Sequence, residues 1–175
     1  MKSGISDNIV VNLIGFQLCW WLAVLWQQQS VPWLMLLLCA HVLLHSDRLT
    51  ELRLILATAL LGYLVDTLLV LGGVFHFTPT AVLPPLWLAL LWCCFAATLR
   101  QSLKPLAPHP YLAALLGGIA GSGSYLLGAR LGAVELGYST TTSLLVLMPI
   151  WALLLPALLR YSQQFDRTQR ATEAL

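Results

Sequence analysis

The sequence is poor in charge. Lys and Arg total 9 and Asp and Glu 7 among 175 residues, so charged side chains make up 9% of the chain. A soluble domain carries roughly 25%. With 59% hydrophobic residues and a mean hydropathy of +0.82, a soluble fold could not cover its surface with polar groups. A soluble enzyme, a secreted scaffold and a disordered chain are thereby excluded. Other shortages narrow the chemistry. Cys19, Cys39, Cys93 and Cys94 sit in apolar stretches without Cys-x-x-Cys spacing, and such cysteines behave as small hydrophobes. The basic residues are spread along the chain rather than clustered, so nucleic acid is not a partner. No Ser-His-Asp set or carboxylate pair can be assembled from so few polar residues. No internal repeat is visible, which leaves an inverted-repeat transporter without support.

What is present is a series of long apolar runs. A helix crossing the hydrocarbon core needs about 17–25 mostly apolar residues. Six segments are candidates: about 9–26, 31–44, 52–74, 84–99, 111–134 and 143–159. The expected fold class is all-α, a polytopic membrane protein built as one domain, a bundle of six transmembrane helices with a polar tail over 160–175. The second segment is the weak link. Its 14 residues span about 21 Å against a core of about 30 Å, so it crosses a thinned bilayer or is re-entrant. The first segment carries Asp7 as well as Lys2 ahead of it and no small-x-small site after it, which favours a retained helix over a signal peptide. Six spans put 8 of the 9 basic residues on one side, leaving Arg130 alone on the other. By the positive-inside rule both termini are then cytoplasmic. Trp26, Trp33 and Trp87 mark the outer interface and Tyr111 and Tyr161 the inner one. Trp20, Trp21, Trp92 and Trp151 lie deeper, as packing or pocket residues.

Asp66 is the most informative residue, a carboxyl about two-thirds of the way across the third segment. Intramembrane acids face the bundle interior and a partner, and mark functional sites by default. Thr58, Gly62 and Asp66 share one helical face, with Tyr63 beside it. Arg130 is the expected counter-charge, with Glu135 competing for it. The fifth segment is rich in small residues. Gly117, Gly121, Gly128 and Gly132 fall on one stripe, which suits close helix packing. Without a preceding strand or a following Lys-Ser/Thr, these glycines make no phosphate loop. His41 and His45 stand at i, i+4, a spacing that can present two imidazoles to one metal, but no adjacent carboxylate completes a zincin-type motif. Asn12 and Gln17 read as bonds across helices.

Several segments together carry a resemblance: Gly15-Phe16-Gln17-Leu18-Cys19-Trp20, Gly62-Tyr63-Leu64-Val65-Asp66-Thr67-Leu68-Leu69, Pro85-Leu86-Trp87 through Trp92 with Phe95-Ala96-Ala97-Thr98-Leu99, and Ser124-Tyr125 through Ala133. Over nearly its whole length the chain resembles a family of small bacterial inner-membrane proteins catalogued as a domain of unknown function. In the family pattern a Gly-Pro precedes the Ser-Tyr; here Ser122-Gly123 stands in that place, so the helix kink of that pattern lacks its proline. The resemblance implies gene neighbours similar to cyclopropane-fatty-acid synthases and photolyases, and through them a link to lipid modification or photo-oxidative stress.

The leading expectation is a non-catalytic accessory protein of the inner membrane that binds a lipid or a lipid-modifying partner, without a cofactor. Asp66, Arg130, Tyr125, Glu135 and Tyr63 would form its ligand site towards the outer leaflet. Membrane lipids are the expected partners, with a lipid-modifying enzyme or a homodimer as further ones. The alternative is a small-molecule carrier, similar in length and span number to the substrate-binding subunits of energy-coupling-factor importers, though their Ala-x-x-x-Ala signature is absent. The second alternative is a membrane-embedded enzyme using Asp66 or the histidines.

Overall fold

The computed structural model describes residues 8–78 and 83–173. Lys2 and Asp7 lie outside the described residues, as do the side chains of Arg167 and Arg170. The chain is helical almost throughout. Helix α1 (Ile9–Trp26) starts at Asn8, whose side chain accepts from the Val10 and Val11 amides at 2.9 and 3.3 Å. That cap satisfies two of the amides left open at a helix start. Gln27, at φ +45°, stops α1, and a 3₁₀ turn over Gln27–Ser30 leads into α2 (Val31–Leu44). Near the start of α1, Asn12 donates to the Ala97 carbonyl at 3.0 Å. Just past α2, His45 shares a 2.9 Å bond with Gln101. The start of α1 and the end of α2 therefore meet the same segment, and the two helices form an antiparallel hairpin.

Helix α3 (Arg48–Leu71) begins one turn earlier than hydropathy indicates, because Asp47 caps the Thr50 amide at 3.4 Å. It ends at Gly72-Gly73, the second with φ +69°. Strand β1 (Phe75–His76) then pairs antiparallel with β2 (Glu135–Leu136), Phe75 opposite Leu136 and His76 opposite Glu135. Helix α4 (Leu86–Ala96) is short, and residues 97–109 return through tight turns. Helix α5 (Pro110–Arg130) carries a π-type turn at Gly117–Gly121. Helix α6 (Thr140–Glu173) contains Pro149 and Pro156 and continues beyond 159. The polar tail expected over 160–175 is helical as far as Glu173, because a polar sequence with good helix formers continues the apolar helix.

Four stretches, Ile9–Leu44, Arg48–Leu71, Pro110–Arg130 and Thr140–Phe165, are long and apolar enough to cross a membrane. The apolar helix Leu86–Ala96 has only 11 residues, about 16 Å. The expectation of six spans is therefore met in its coarser form alone, as an all-α fold of membrane type. Its outer faces agree with that class. Leu56, Leu60, Leu64 and Leu68 form an exposed stripe on α3, while Ile55, Ala59, Gly62, Asp66 and Leu69 on the same helix are buried. A contiguous apolar face of this kind has no place in water.

Trp92 of α4 and Trp151 of α6 stack in parallel at the centre, 5.3 Å apart, with Phe95 edge-on to both. Glycines make room for these rings. A Cβ on Gly62 would strike Trp92, and one on Gly121 would strike Trp151. At Gly117 a Cβ would lie 2.6 Å from the Trp151 carbonyl oxygen. Gly128 has ordinary van der Waals space, and Gly132, at φ +77° beyond the end of α5, has no neighbour within 4 Å. The glycine stripe is accordingly two devices: Gly117 and Gly121 let α5 approach α6, whereas Gly132 serves a turn.

Candidate functional site

Asp66 is fully buried, on the face of α3 that packs against α4. The Trp92 indole N–H donates to its Oδ2 at 2.6 Å and the Tyr125 hydroxyl to its Oδ1 at 2.7 Å. A buried carboxyl needs such partners, since leaving it bare in an apolar interior is costly. Tyr125 is held in turn by Phe75, stacked on its ring at 4.8 Å. Asp66 thus joins α3, α4 and α5, and fixes two aromatic rings in place.

The other expected site residues lie elsewhere. Tyr63 donates to the Pro84 carbonyl at 2.8 Å and pins the segment before α4. Arg130 and Glu135 are exposed at the end of the molecule that carries the strands. Glu135 accepts from Thr78 at 3.3 Å. Among the described residues no ion pair joins Arg130 to Asp66. The helical phase explains it: five residues beyond Tyr125, Arg130 is turned about 140° away from the face that meets Asp66. Trp92, the partner that replaces it, has the sequence signature of a packing or pocket residue, because hydropathy treats an indole as hydrophobic and ignores its N–H.

A second polar cluster occupies the opposite end, where Arg48, Arg53, Arg100 and Lys104 also lie. Glu51 is fully buried, with His41 at 3.0 Å, Arg100 at 3.4 Å and His45 at 3.5 Å from its oxygens. Asp47 is 3.9 Å from Arg100. The His45 Nδ1 accepts from the Asp47 amide at 3.0 Å. His41 and His45 therefore face Glu51 across the α2–α3 junction. Among the described residues, no group of three or more His, Cys, Asp or Glu is arranged to hold a metal ion. The signal for this cluster was present in the sequence as Asp47 and Glu51 following two histidines, with Arg100 in a distant turn to complete it.

Between the two ends lies a cavity of about 610 Å³, within the range of about 300–1,000 Å³ usual for ligand pockets. Leu13, Phe16, Gln17 and Trp20 of α1 form one wall, and Gly121, Gly123, Ser124 and Tyr125 of α5 the other. Trp92, Phe95 and Trp151 form the floor. Helix α1 packs on α2 and α4, and α5 packs on α6, so α1 and α5 face each other across the gap. Asp66 stands behind the Trp92 and Tyr125 rings and steadies the wall from outside.

No curated protein and no solved structure matches the chain. Residues 9–157, which hold every residue lining the cavity and both polar clusters, match the family described as Protein of unknown function (DUF2878), and the chain belongs to that family.

Proposed function

We propose that the protein spans the bacterial inner membrane six times and holds the apolar chain of a membrane lipid in the cleft between α1 and α5. The observation that carries this reading is the cavity itself: a space of about 610 Å³ lined almost wholly by apolar and aromatic groups and set between two helices. In a bilayer such a space adjoins lipid tails, and an apolar chain fills it at no desolvation cost. The apolar lining favours a lipid over the water-soluble cargo of a carrier. Both Asp66 oxygens are engaged by Trp92 and Tyr125, which supports a positioning role over acid-base chemistry. An accessory role follows, in which the cleft retains a lipid for a lipid-modifying partner, in keeping with a function in membrane stress response. The basic end, with Arg48, Arg53, Arg100 and Lys104, faces the cytoplasm by the positive-inside rule.

Gly123 provides the test. It lines the cleft, and a Cβ there meets nothing within 4 Å, so Gly123→Phe adds its bulk at the cleft wall from an unobstructed Cβ. Native mass spectrometry with lipid extraction should find a defined lipid on the wild type and at least a fivefold loss of it from Gly123→Phe. The same lipids in equal amount on both proteins would reject the cleft as the binding site.

A further inference from the structure

Four hydroxyl groups line the cleft, and each already donates within the protein. Thr98 donates to the Phe95 carbonyl at 2.6 Å, Ser102 to Asn12 at 2.7 Å, Ser124 to the Gly121 carbonyl at 2.7 Å and Tyr125 to Asp66 at 2.7 Å. Gln17 differs. Its side chain lines the cleft, is exposed, and has no hydrogen-bond partner among the described residues. It lies eight residues from Ile9 and nine from Trp26, at the middle of α1. At about 1.5 Å per residue that is about 12–14 Å from either helix end, too deep for a glutamine to reach water beyond the membrane surface. An amide left unpaired in hydrocarbon is costly, and bundles satisfy such groups wherever they can. Among the described residues the cross-helix bond expected of Gln17 is not made, whereas Asn12, about one and a half turns away, makes its own to Ala97 and Ser102. The Gln17 side chain is thus left open at the wall of the cleft.

We infer that the occupant is an apolar chain carrying a hydrogen-bonding oxygen part-way along its length, and that Gln17 receives that oxygen at mid-membrane depth. The inference rests on the lipid reading of the cleft and narrows it. A hydroxyl group suits the site, because it accepts from the Gln17 N–H and donates to the Gln17 carbonyl or to a lone pair on one of the wall hydroxyls. A plain hydrocarbon chain fills the same volume and leaves the amide bare. The wide separation of Gln17 from both ends of α1 places the oxygen near the middle of the chain, remote from any headgroup.

The full-length protein, purified in detergent and stripped of lipid, would be titrated with stearate and with its mid-chain hydroxylated analogue, following the intrinsic tryptophan fluorescence. The wild type should bind the hydroxylated chain about fivefold more tightly, the effect of one neutral hydrogen bond. Gln17→Met, close in volume, should keep stearate affinity and lose the preference. Gln17→Asn, an amide drawn back by one methylene, keeps the polarity of the site and should show a reduced preference if the methionine variant fails to fold. Gly123→Phe should bind neither chain. Equal wild-type affinity for the two chains overturns the inference and leaves the lipid cleft standing. Failure of the wild type to bind either chain overturns both.

Discussion

Asp66 illustrates how a single acid can tie three helices together and hold two rings of a cleft wall at once. Its two oxygens are each matched to one donor, Trp92 at 2.6 Å and Tyr125 at 2.7 Å, and both donors line the cleft. Asp66→Asn keeps the volume but offers one acceptor where two are needed, and turns an N–H₂ towards an N–H or O–H. The expected cost is about 1–3 kcal/mol of stability, the desolvation penalty of a polar group left unsatisfied, read as a lowered unfolding midpoint in detergent. Trp92→Phe should cost a similar amount, since it bares one carboxyl oxygen and removes half of the Trp92–Trp151 stack. Because the two side chains share one bond, the double variant should be less destabilised than the sum of the singles. Additive effects would show that the bond contributes nothing. An Asp66→Asn protein as stable as the wild type would remove the tie altogether.

At the scale of the element, α5 shows how much of the structure the sequence carries in plain view. Its small residues announce a close approach, and Gly117 and Gly121 indeed face Trp151 with no room for a Cβ. Gly121→Ala should therefore cost about 1–3 kcal/mol, the range for overpacking a filled interior. Gly123→Ala, two residues on but facing open space, should gain up to about 1 kcal/mol from helix propensity alone. Opposite signs in a thermal unfolding series would establish that space, not glycine content, governs the helix. The same element also shows what stays hidden. A stripe at constant spacing reads as one face, yet the π-type turn at Gly117–Gly121 shifts the phase of everything after it, and Gly132 falls past the helix end. Hydropathy located the helices because burial and lipid exposure both select apolar residues. It overran α4, where Ala97 and Leu99 are apolar but lie in turns. It stopped short in α6, where the backbone remains helical after the apolar run ends. Asp66 and Tyr125 could be singled out by polarity, whereas Trp92 and Gln17 needed coordinates, because a partner's identity depends on which faces the bundle brings together.

For the whole molecule, the decisive question is whether Ile9–Leu44 is one span or two. As a straight helix its 36 residues would extend about 54 Å, far beyond a hydrocarbon core of about 30 Å. The backbone at Gln27, φ +45°, and the return of His45 to the same segment that holds Asn12 instead fold it into a hairpin. The Gln27 side chain also donates to the Gly132 carbonyl at 3.0 Å, which ties the hairpin turn to the end opposite Glu51. Single cysteines at two exposed turn positions, Gln28→Cys and Ser46→Cys, placed in a background with Cys19, Cys39, Cys93 and Cys94 replaced, test this directly. A membrane-impermeant thiol reagent added to intact cells should label Gln28→Cys alone. Ser46→Cys should react only after the inner leaflet is opened to the reagent, because it adjoins the basic end. Labelling of Ser46→Cys alone would reverse the assigned orientation, and labelling of both from outside would place α2 as a re-entrant segment. If Gln28→Cys were shielded from both sides, the turn would be buried in the bilayer, and the α1 wall of the cleft would lie at a depth where Gln17 no longer meets the middle of an acyl chain.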